Sequence, residues 1–205
     1  MRRLLPALMA FSVGVGCTSG PPPPTDARPY EEQILAFRAE KDQFFRASDE
    51  SPLPPEDRAR FTGLPYYPID PTLRVPASLR EEPAIPPIII DLQTTGAAAD
   101  RVRKVGALGF TIGGTSYALT AFVPADARTV TRLFVPFGDA TSGPETYKGG
   151  RYLDLTRTTS GVYDLDFNRA YHPNCVYDIR WVCPLPPREN RLTIPIRAGE
   201  RLPPS

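Results

Sequence analysis

Proline is the feature that most restricts how this chain can fold. The sequence contains 26 prolines, four of them in an unbroken tract at 21–24 and the others spread along the chain at short intervals. Proline has no amide proton to give to a helix interior or to a central strand. Long helices are therefore excluded over most of the chain, and the sequence predicts short strands joined by irregular connections.

The composition is that of a folded protein with balanced charge. Of the 205 residues, 41% are hydrophobic and 23% are charged, which is typical of one globular domain with short appendages. The formal net charge is +1, and the basic residues do not form a run. Because phosphate binding needs clustered Lys and Arg, the sequence argues against a nucleic-acid partner.

The N-terminus has the pattern of an export signal. An arginine pair precedes a short apolar run over 4–15, and small residues stand immediately before Cys17. Residues 1–16 are therefore predicted to be a signal peptide. The apolar run is too short to span a bilayer.

Two export products are possible at Cys17. Val15, Gly16 and Cys17 resemble the end of a bacterial lipobox, in which the cysteine is lipidated and becomes the new N-terminus. Gly14 and Gly16 also fit an ordinary cleavage site, which would give a soluble secreted product. The sequence favours a lipoprotein anchored to a bacterial membrane and facing the periplasm or the exterior. Residues 17–29 would then be the lipid-anchor cysteine and a Pro-rich tether.

Residues 30–205 are predicted to form a single globular domain that begins with one helix. Over about 29–47, aromatic and aliphatic residues recur near the 3.6-residue period with charged residues between them. Thr25 or Asp26 is a candidate N-cap. The polar face is mixed in sign, which favours packing on a sheet over binding to a membrane surface. A short helical turn is expected around 55–61.

After residue 64 the pattern is that of a mainly β domain. Apolar runs bounded by turn formers predict short strands over 66–69, 73–75, 88–92, 101–112, 115–123, 131–137, 151–155, 162–167 and 191–196. Gly113 and Gly114 form a two-residue hairpin turn that needs positive φ. There is no βαβ alternation. The predicted fold is an antiparallel sandwich or small barrel with one N-terminal amphipathic helix, α+β by count.

The two cysteines near the C-terminus are separated by seven residues. In an exported chain, Cys175 and Cys183 at this spacing predict a disulfide that closes a small loop. Such a bridge would contribute about 2–3 kcal/mol by loop-closure entropy. The alternative is a nucleophilic cysteine beside His172.

Most residues that can carry chemistry lie between 136 and 190. Asp139, Thr141 and Glu145 alternate around a glycine and loosely resemble a calcium loop, although an Asx turn explains them as well and no metal is predicted. Arg151 and Arg169 are suited to bind carboxylates, either in a buried network or at an anion site. The aromatics at 147, 152, 171, 177 and 181 suit a sugar or small polar ligand, or pack loops on a sheet edge.

Several long strings resemble a known family, the bacterial and archaeal domain of unknown function 1684. They are PFGDATSGPETYKGGRYLDL over 136–155, DLDFNRAYHPNCVYDIRWVCPLPPRENRL over 164–192, IRAGE over 196–200, KDQFF, and SPLPPEDRARFTGLPYYPID over 51–70. The resemblance covers nearly everything after the tether. It implies one domain, often exported, and it supplies no activity. The chain departs from the family string at His172, where the family has Asn.

These features predict an exported, lipid-anchored domain that binds a small polar ligand or an envelope partner through the 136–190 loops. The candidate binding residues are Asp139, Thr141, Glu145, Tyr147, Arg151, Asp166, Asn168, Arg169, Tyr171, Tyr177 and Asn190. One alternative is a hydrolase that uses two carboxylates from Asp139, Glu145, Asp154 and Asp166. The other is a purely structural envelope protein. The sequence identifies neither a reaction nor a cofactor.

Overall fold

The computed structural model describes residues 26–203, so the predicted signal peptide and the lipidation site at Cys17 lie outside the described residues. Helix α1 spans Tyr30–Ala47 and α2 spans Pro55–Arg58. The strands are β1 Arg74–Glu81, β2 Ile89–Leu92, β3 Asp100–Ile112, β4 Thr115–Pro124, β5 Arg132–Phe137, β6 Arg151–Thr156 and β7 Val162–Asp166. Neither described helix is long and apolar enough to cross a membrane.

The strands form one antiparallel sheet in the order β6–β5–β4–β3–β1–β7, and β2 pairs with β3 outside that path. The two ends of the sheet come back together, so the six strands enclose a nearly closed barrel. The predicted hairpin is confirmed, since Gly113 and Gly114 join β3 to β4 with φ of 56° and 80°. The structure therefore confirms a mainly β fold and selects the barrel over the sandwich.

The barrel interior is filled by alternate residues of the strands. Leu108, Leu119, Leu133, Leu153 and Leu165 are all buried there, which is the period-2 pattern of a sheet with one face on the core. A second, smaller cluster lies apart from this core. It contains the buried side chains Leu92, Val102 and Phe122, with Ile90 and Phe134 against them.

Helix α1 packs mainly against α2 and the 167–169 turn rather than directly on the sheet. Ile34 and Phe45 are its buried residues. The predicted side-chain cap is wrong for Asp26, because Pro29 occupies the N-cap position and no side chain among residues 26–203 caps the helix start. Asp26 pairs with Arg28 instead, at 2.5 Å. The other cap candidate, Thr25, lies outside the described residues.

Two predicted strands are wrong, and proline explains both. The run over 66–69 makes only a single bridge, between Tyr66 and Glu200, and is broken by a proline at 68. The run over 191–196 makes a single bridge, between Arg191 and Gly138, and is broken by a proline at 195. A third strand starts one residue late, at Arg74, because 71–73 form a 3₁₀ turn.

Asn190 ties β4 to β5 where their pairing is short. The register between these strands consists of Phe122 opposite Phe134. The fully buried Asn190 amide donates to the carbonyl oxygens of Thr120 at 2.9 Å and Pro136 at 2.7 Å, and its Oδ1 accepts from the Thr120 N–H at 2.7 Å. The side chain thus supplies the hydrogen bonds that a strand would otherwise make.

Replacing Asn190 with Ala is expected to lower the free energy of unfolding by roughly 2–3 kcal/mol, because it leaves buried main-chain groups without partners. Urea unfolding measures the change. Glu189→Ala is the matched control, since Glu189 is exposed on the same 3₁₀ turn. It should lower the free energy of unfolding by no more than about 0.5 kcal/mol. Equal unfolding midpoints for the two variants would contradict this role of Asn190.

Candidate functional site

The predicted binding residues divide into a buried set and a surface set. The buried set has at most 8% of its surface exposed and contains Asp139, Thr141, Arg151, Asp166, Asn168 and Asn190. The others are partly exposed: Glu145, Tyr147, Arg169, Tyr171 and Tyr177. The six buried side chains are hydrogen-bonded inside the protein, so they hold loops and helix together rather than face solvent.

Arg151 is the centre of a buried polar network. Its Nη2 donates to Asp139 Oδ2 at 3.0 Å and to the Ile196 carbonyl at 2.7 Å. Its Nη1 donates to the carbonyls of Ala198 and Glu200. The side chain is fully buried. One guanidinium therefore binds the start of the 138–150 loop and three carbonyls of the C-terminal segment.

The C-terminal segment can present those carbonyls because of one glycine. Gly199 has φ of 76°, and a Cβ at that position would lie 2.5 Å from the Ala170 carbonyl oxygen. Asp139 completes the arrangement from the other side. Its Oδ1 accepts from the N–H groups of Thr141 at 2.8 Å and Ile196 at 3.1 Å, so the Asx turn is formed and bonded to this segment.

A second buried network attaches α1 to the barrel. Asp166 Oδ1 accepts from the Tyr30 hydroxyl at 2.8 Å and from the Asn168 main-chain N–H at 3.0 Å. The Asn168 amide also donates to the Asp70 carbonyl at 2.8 Å. Arg169 lies at the edge of this network, 3.4 Å from Asp166.

Sequence reasoning missed Glu200, the acidic centre of a third network. Its side chain is 1% exposed, and Oε1 lies 2.5 Å from Lys41 Nζ. Its Oε2 accepts from the Tyr177 hydroxyl at 2.8 Å and from the His172 N–H at 2.7 Å. Burial, followed by the Glu200 charge, raises the pKa of Tyr177 well above its usual value. The available signal was that KDQFF and IRAGE, which contain Lys41 and Glu200, both belong to the family resemblance.

His172 is held as a neutral acceptor in the same region. Its Nε2 accepts from the Tyr147 N–H at 3.2 Å. Burial, and then the charges of Arg151 and Lys41, lower the pKa of His172 to about 3. The imidazole is 3% exposed, so it has little access to solvent.

The four carboxylates proposed for a hydrolase are each bound to a different partner. Asp139 binds Arg151, Asp166 binds Tyr30, Asp154 accepts from Tyr171 at 2.8 Å, and Glu145 binds Arg197 at 2.7 Å. Hydrogen bonds from Arg197 hold the pKa of Glu145 below its usual range, which is the opposite of what a general acid needs. Within residues 26–203, no three His, Cys, Asp or Glu side chains gather as a metal-binding group.

The disulfide prediction is confirmed, and the nucleophilic alternative is wrong because the structure leaves neither sulfur free. Cys175 and Cys183 are joined, with Cα atoms 6.1 Å apart. The loop that they close presents Ile179, Trp181 and Val182 to solvent at 95%, 43% and 58% exposure. Large apolar side chains held outward on a covalently closed loop are a feature of binding surfaces.

A cleft of about 400 Å³ opens between this loop and the outer face of the barrel. Trp181, Tyr171, Tyr152 and Phe134 line it, with Asp100 and Asn174 among its polar residues. Tyr152 and Phe134 meet edge to face, with ring centroids 4.8 Å apart. Of the predicted binding residues, Tyr171 lines this cleft, while Asp166 and Arg169 line a separate groove between β6 and β7.

The comparisons with known proteins give a family. The sequence model described as "Protein of unknown function (DUF1684)" matches residues 59–201. The chain belongs to this family. The resemblance found in the sequence is thereby confirmed, and the DUF1684 match includes all seven strands and the loops around Arg151 and Trp181.

A solved relative extends the similarity beyond the DUF1684 match. The solution NMR structure of an uncharacterized protein from Haloarcula marismortui is 42% identical to this chain. The alignment covers 84% of this chain and 94% of that one, with a TM-score of 0.66. No curated protein matches the chain.

Proposed function

We propose that this DUF1684 domain is a non-catalytic module that binds a small hydroxylated ring, such as one sugar residue, in the Trp181 cleft. The aromatic wall of that cleft carries the proposal. The Trp181 indole is 43% exposed above a floor that includes Tyr152 and Phe134. Such a wall offers flat apolar surface to the C–H face of a ring.

Two polar side chains at the cleft supply the specificity. The Asp100 carboxylate and the Asn174 amide are exposed, and neither side chain is hydrogen-bonded within the described part of the chain. A carboxylate accepts from hydroxyl groups, and an amide both donates and accepts. A ring with an apolar face and hydroxyls at its edge satisfies both kinds of surface. The cleft volume of about 400 Å³ is within the range of small-ligand sites.

Binding without catalysis is supported by the carboxylates. The four proposed for hydrolysis are bound to Arg151, Tyr30, Tyr171 and Arg197. Arranged this way, they stabilise loops, and they are not poised as an acid and a nucleophile facing one substrate.

The sole tryptophan of the chain is Trp181, so fluorescence excited selectively at tryptophan reports on the surroundings of this one residue. Titration with a panel of mono- and disaccharides is expected to change that fluorescence. Asp100→Asn should weaken binding at least about tenfold, because a hydrogen bond to a charged acceptor contributes roughly 1.5–3 kcal/mol. Calorimetry should find binding abolished in Trp181→Ala.

Two matched controls separate the cleft from its surroundings. Ile179→Ala removes an exposed apolar side chain from the same disulfide loop, and Asp126→Asn removes an exposed carboxylate from the turn after β4. Neither residue lines the cleft, so both variants should bind as the unaltered chain does. A sugar that binds equally well to Trp181→Ala, or a panel with no response, would overturn the proposed function.

We further propose that this module lies on the outer side of a bacterial membrane, anchored by a lipid at Cys17. The small residues before Cys17 and the Pro-rich tether after it support the anchor. The intact mass of protein from the membrane fraction is expected to exceed that of residues 17–205 by the mass of the lipid. A mass equal to that of the unmodified residues would contradict the anchor and leave the sugar-binding test unaffected.

A further inference from the structure

The barrel has a seam between β6 and β7. These strands follow each other in sequence and are joined by residues 157–161, yet they do not pair. β6 pairs with β5, and β7 pairs with β1. Strands joined by so short a connection usually form a hairpin. Here they part, and the two ends of the sheet face each other across a gap.

The main chain at this seam has groups without partners. Tyr152 bonds to Tyr171 on the side of β6 away from β5, so the alternate residues Asp154 and Thr156 direct their N–H and C=O groups to the same side. On β7, Asp164 lies opposite a proline that has no N–H, so its main chain also faces the seam. These three residues have no main-chain partner across the seam among the described residues. Each edge therefore has a short unpaired stretch, which ends on β6 at Tyr152, bonded to Tyr171, and on β7 at Val162, bonded by the Thr158 and Ser160 side chains.

A groove of about 740 Å³ runs along the seam. Its lining includes Leu153, Leu155 and Tyr163, which belong to the core of the barrel. Tyr163 is 2% exposed, and its buried hydroxyl has no hydrogen-bond partner among residues 26–203. A buried hydroxyl without a partner costs free energy, and a group that enters the groove would satisfy it.

Charges beside the groove are largely neutralised by one another. Arg74 bonds to Asp164 at 2.7 Å, and Arg157 bonds to Glu81 at 2.5 Å. The groove therefore has no strong field of one sign to select a polyanion or a polycation. Uncharged main-chain groups fit such a surface better than phosphate or a basic tail does.

We infer that the seam binds an extended peptide segment of a partner protein, which adds as a strand to the free edge of β6 and closes the barrel against β7. Strand addition at an open edge derives its affinity from main-chain hydrogen bonds and its specificity from alternate side chains. The inward side chains of the peptide are apolar, to cover Leu153 and Leu155, with one polar group that reaches Tyr163. The chain's own 21–24 segment is unsuited to this role, because its four prolines cannot donate.

Amide hydrogen exchange in the free full chain gives the first test. The amides of Asp154, Thr156 and Asp164 are expected to have protection factors at least tenfold lower than those of Leu153 and Leu165, which face paired strands. Equal protection in dilute protein would overturn the inference, because the edges would already be partnered. Protection that rises with protein concentration would overturn it too, since it would assign the seam to a second copy of this chain.

A displayed library of heptapeptides with alternating apolar and polar residues gives the second test. Selected peptides, once synthesised, should protect Asp154, Thr156 and Asp164 from exchange and leave Trp181 fluorescence unchanged. Two N-methylated forms of each selected peptide, one methylated at its odd-numbered residues and the other at its even-numbered residues, test the main-chain hydrogen bonds. At least one of the two forms should bind at least tenfold more weakly than the unmethylated peptide. The inference is wrong if no peptide is selected, if both methylated forms bind normally, or if the protected amides lie elsewhere. The sugar-binding proposal is independent of these outcomes.

Discussion

Replacing Arg151 with Ala is expected to lower the free energy of unfolding by about 3–5 kcal/mol, because it strands a buried carboxylate. The guanidinium is fully buried and bonds to Asp139 and to the carbonyls of residues 196, 198 and 200. In the variant, Asp139 and three carbonyls lose a donor together in a region that water does not reach. Urea unfolding of the full chain measures the loss.

Two further variants make this result specific. Arg151→Lys keeps the charge but lacks the planar fork that serves several acceptors at once, so it should recover only part of the lost stability. Arg132→Ala removes an exposed arginine from neighbouring β5, whose nearest carboxylate, Asp154, is 4.0 Å away. This substitution should change the free energy of unfolding by no more than about 0.5 kcal/mol. If Arg151→Ala unfolds like the unaltered chain but no longer binds sugars, Arg151 belongs to a binding site, and its structural role here is refuted.

Much of the fold could be predicted from local sequence pattern. Alternation of apolar residues marks β3 and β4, and Gly113 with Gly114 fixes the hairpin between them. Local sequence pattern does not show that the sheet closes into a barrel. The pairing of β1 with β7 joins residues about 90 positions apart, such as Ala77 and Tyr163, and it is this pairing that turns a sheet into a barrel rather than a sandwich. The two wrongly predicted strands show a different limit, because each apolar run is interrupted by a proline, at 68 and at 195.

The candidate site was harder to predict, since the same residue types serve burial and binding. In sequence, Asp139 and Arg151 fit either a buried network or an anion site, and only the carbonyls of 196–200 show that the guanidinium is already bonded. Glu200 was overlooked because its partner Lys41 comes from α1, at the other end of the chain. Asp100 likewise reaches the Trp181 cleft from the start of β3. When the residues of a site come from elements that are far apart in the sequence, they have no characteristic spacing by which the site could be recognised.

His172 is expected to make the domain acid-sensitive. The unfolded chain takes up a proton at His172 below about pH 6.5, whereas the folded protein keeps this imidazole neutral until about pH 3. The unfolded state therefore binds more protons throughout that window, and the free energy of unfolding falls as the pH decreases through it. The full effect is roughly 4 kcal/mol by the acid end of the window, with no contribution above it.

One neighbour opposes this effect. Glu200 Oε2 lies 3.7 Å from His172 Nδ1 and would stabilise an imidazolium. That carboxylate, however, is already paired with Lys41 at 2.5 Å, and it accepts from the Tyr177 hydroxyl as well. Arg151 and Lys41 add positive charge near the ring. Burial and these two cations outweigh the single carboxylate, so the pKa of His172 falls.

Comparing the pH dependence of stability in the unaltered chain and in His172→Gln isolates the contribution of His172 protonation. Glutamine offers an oxygen near the position of Nε2 to accept from the Tyr147 N–H, and it has no proton to gain in this range. Urea unfolding of both proteins across the window should give stabilities that differ increasingly toward acid, with the variant losing less. Parallel curves would show that the imidazole does not titrate differently in the two states. A steeper acid loss in the variant would show that Glu200 prevails and that His172 is protonated in the folded protein.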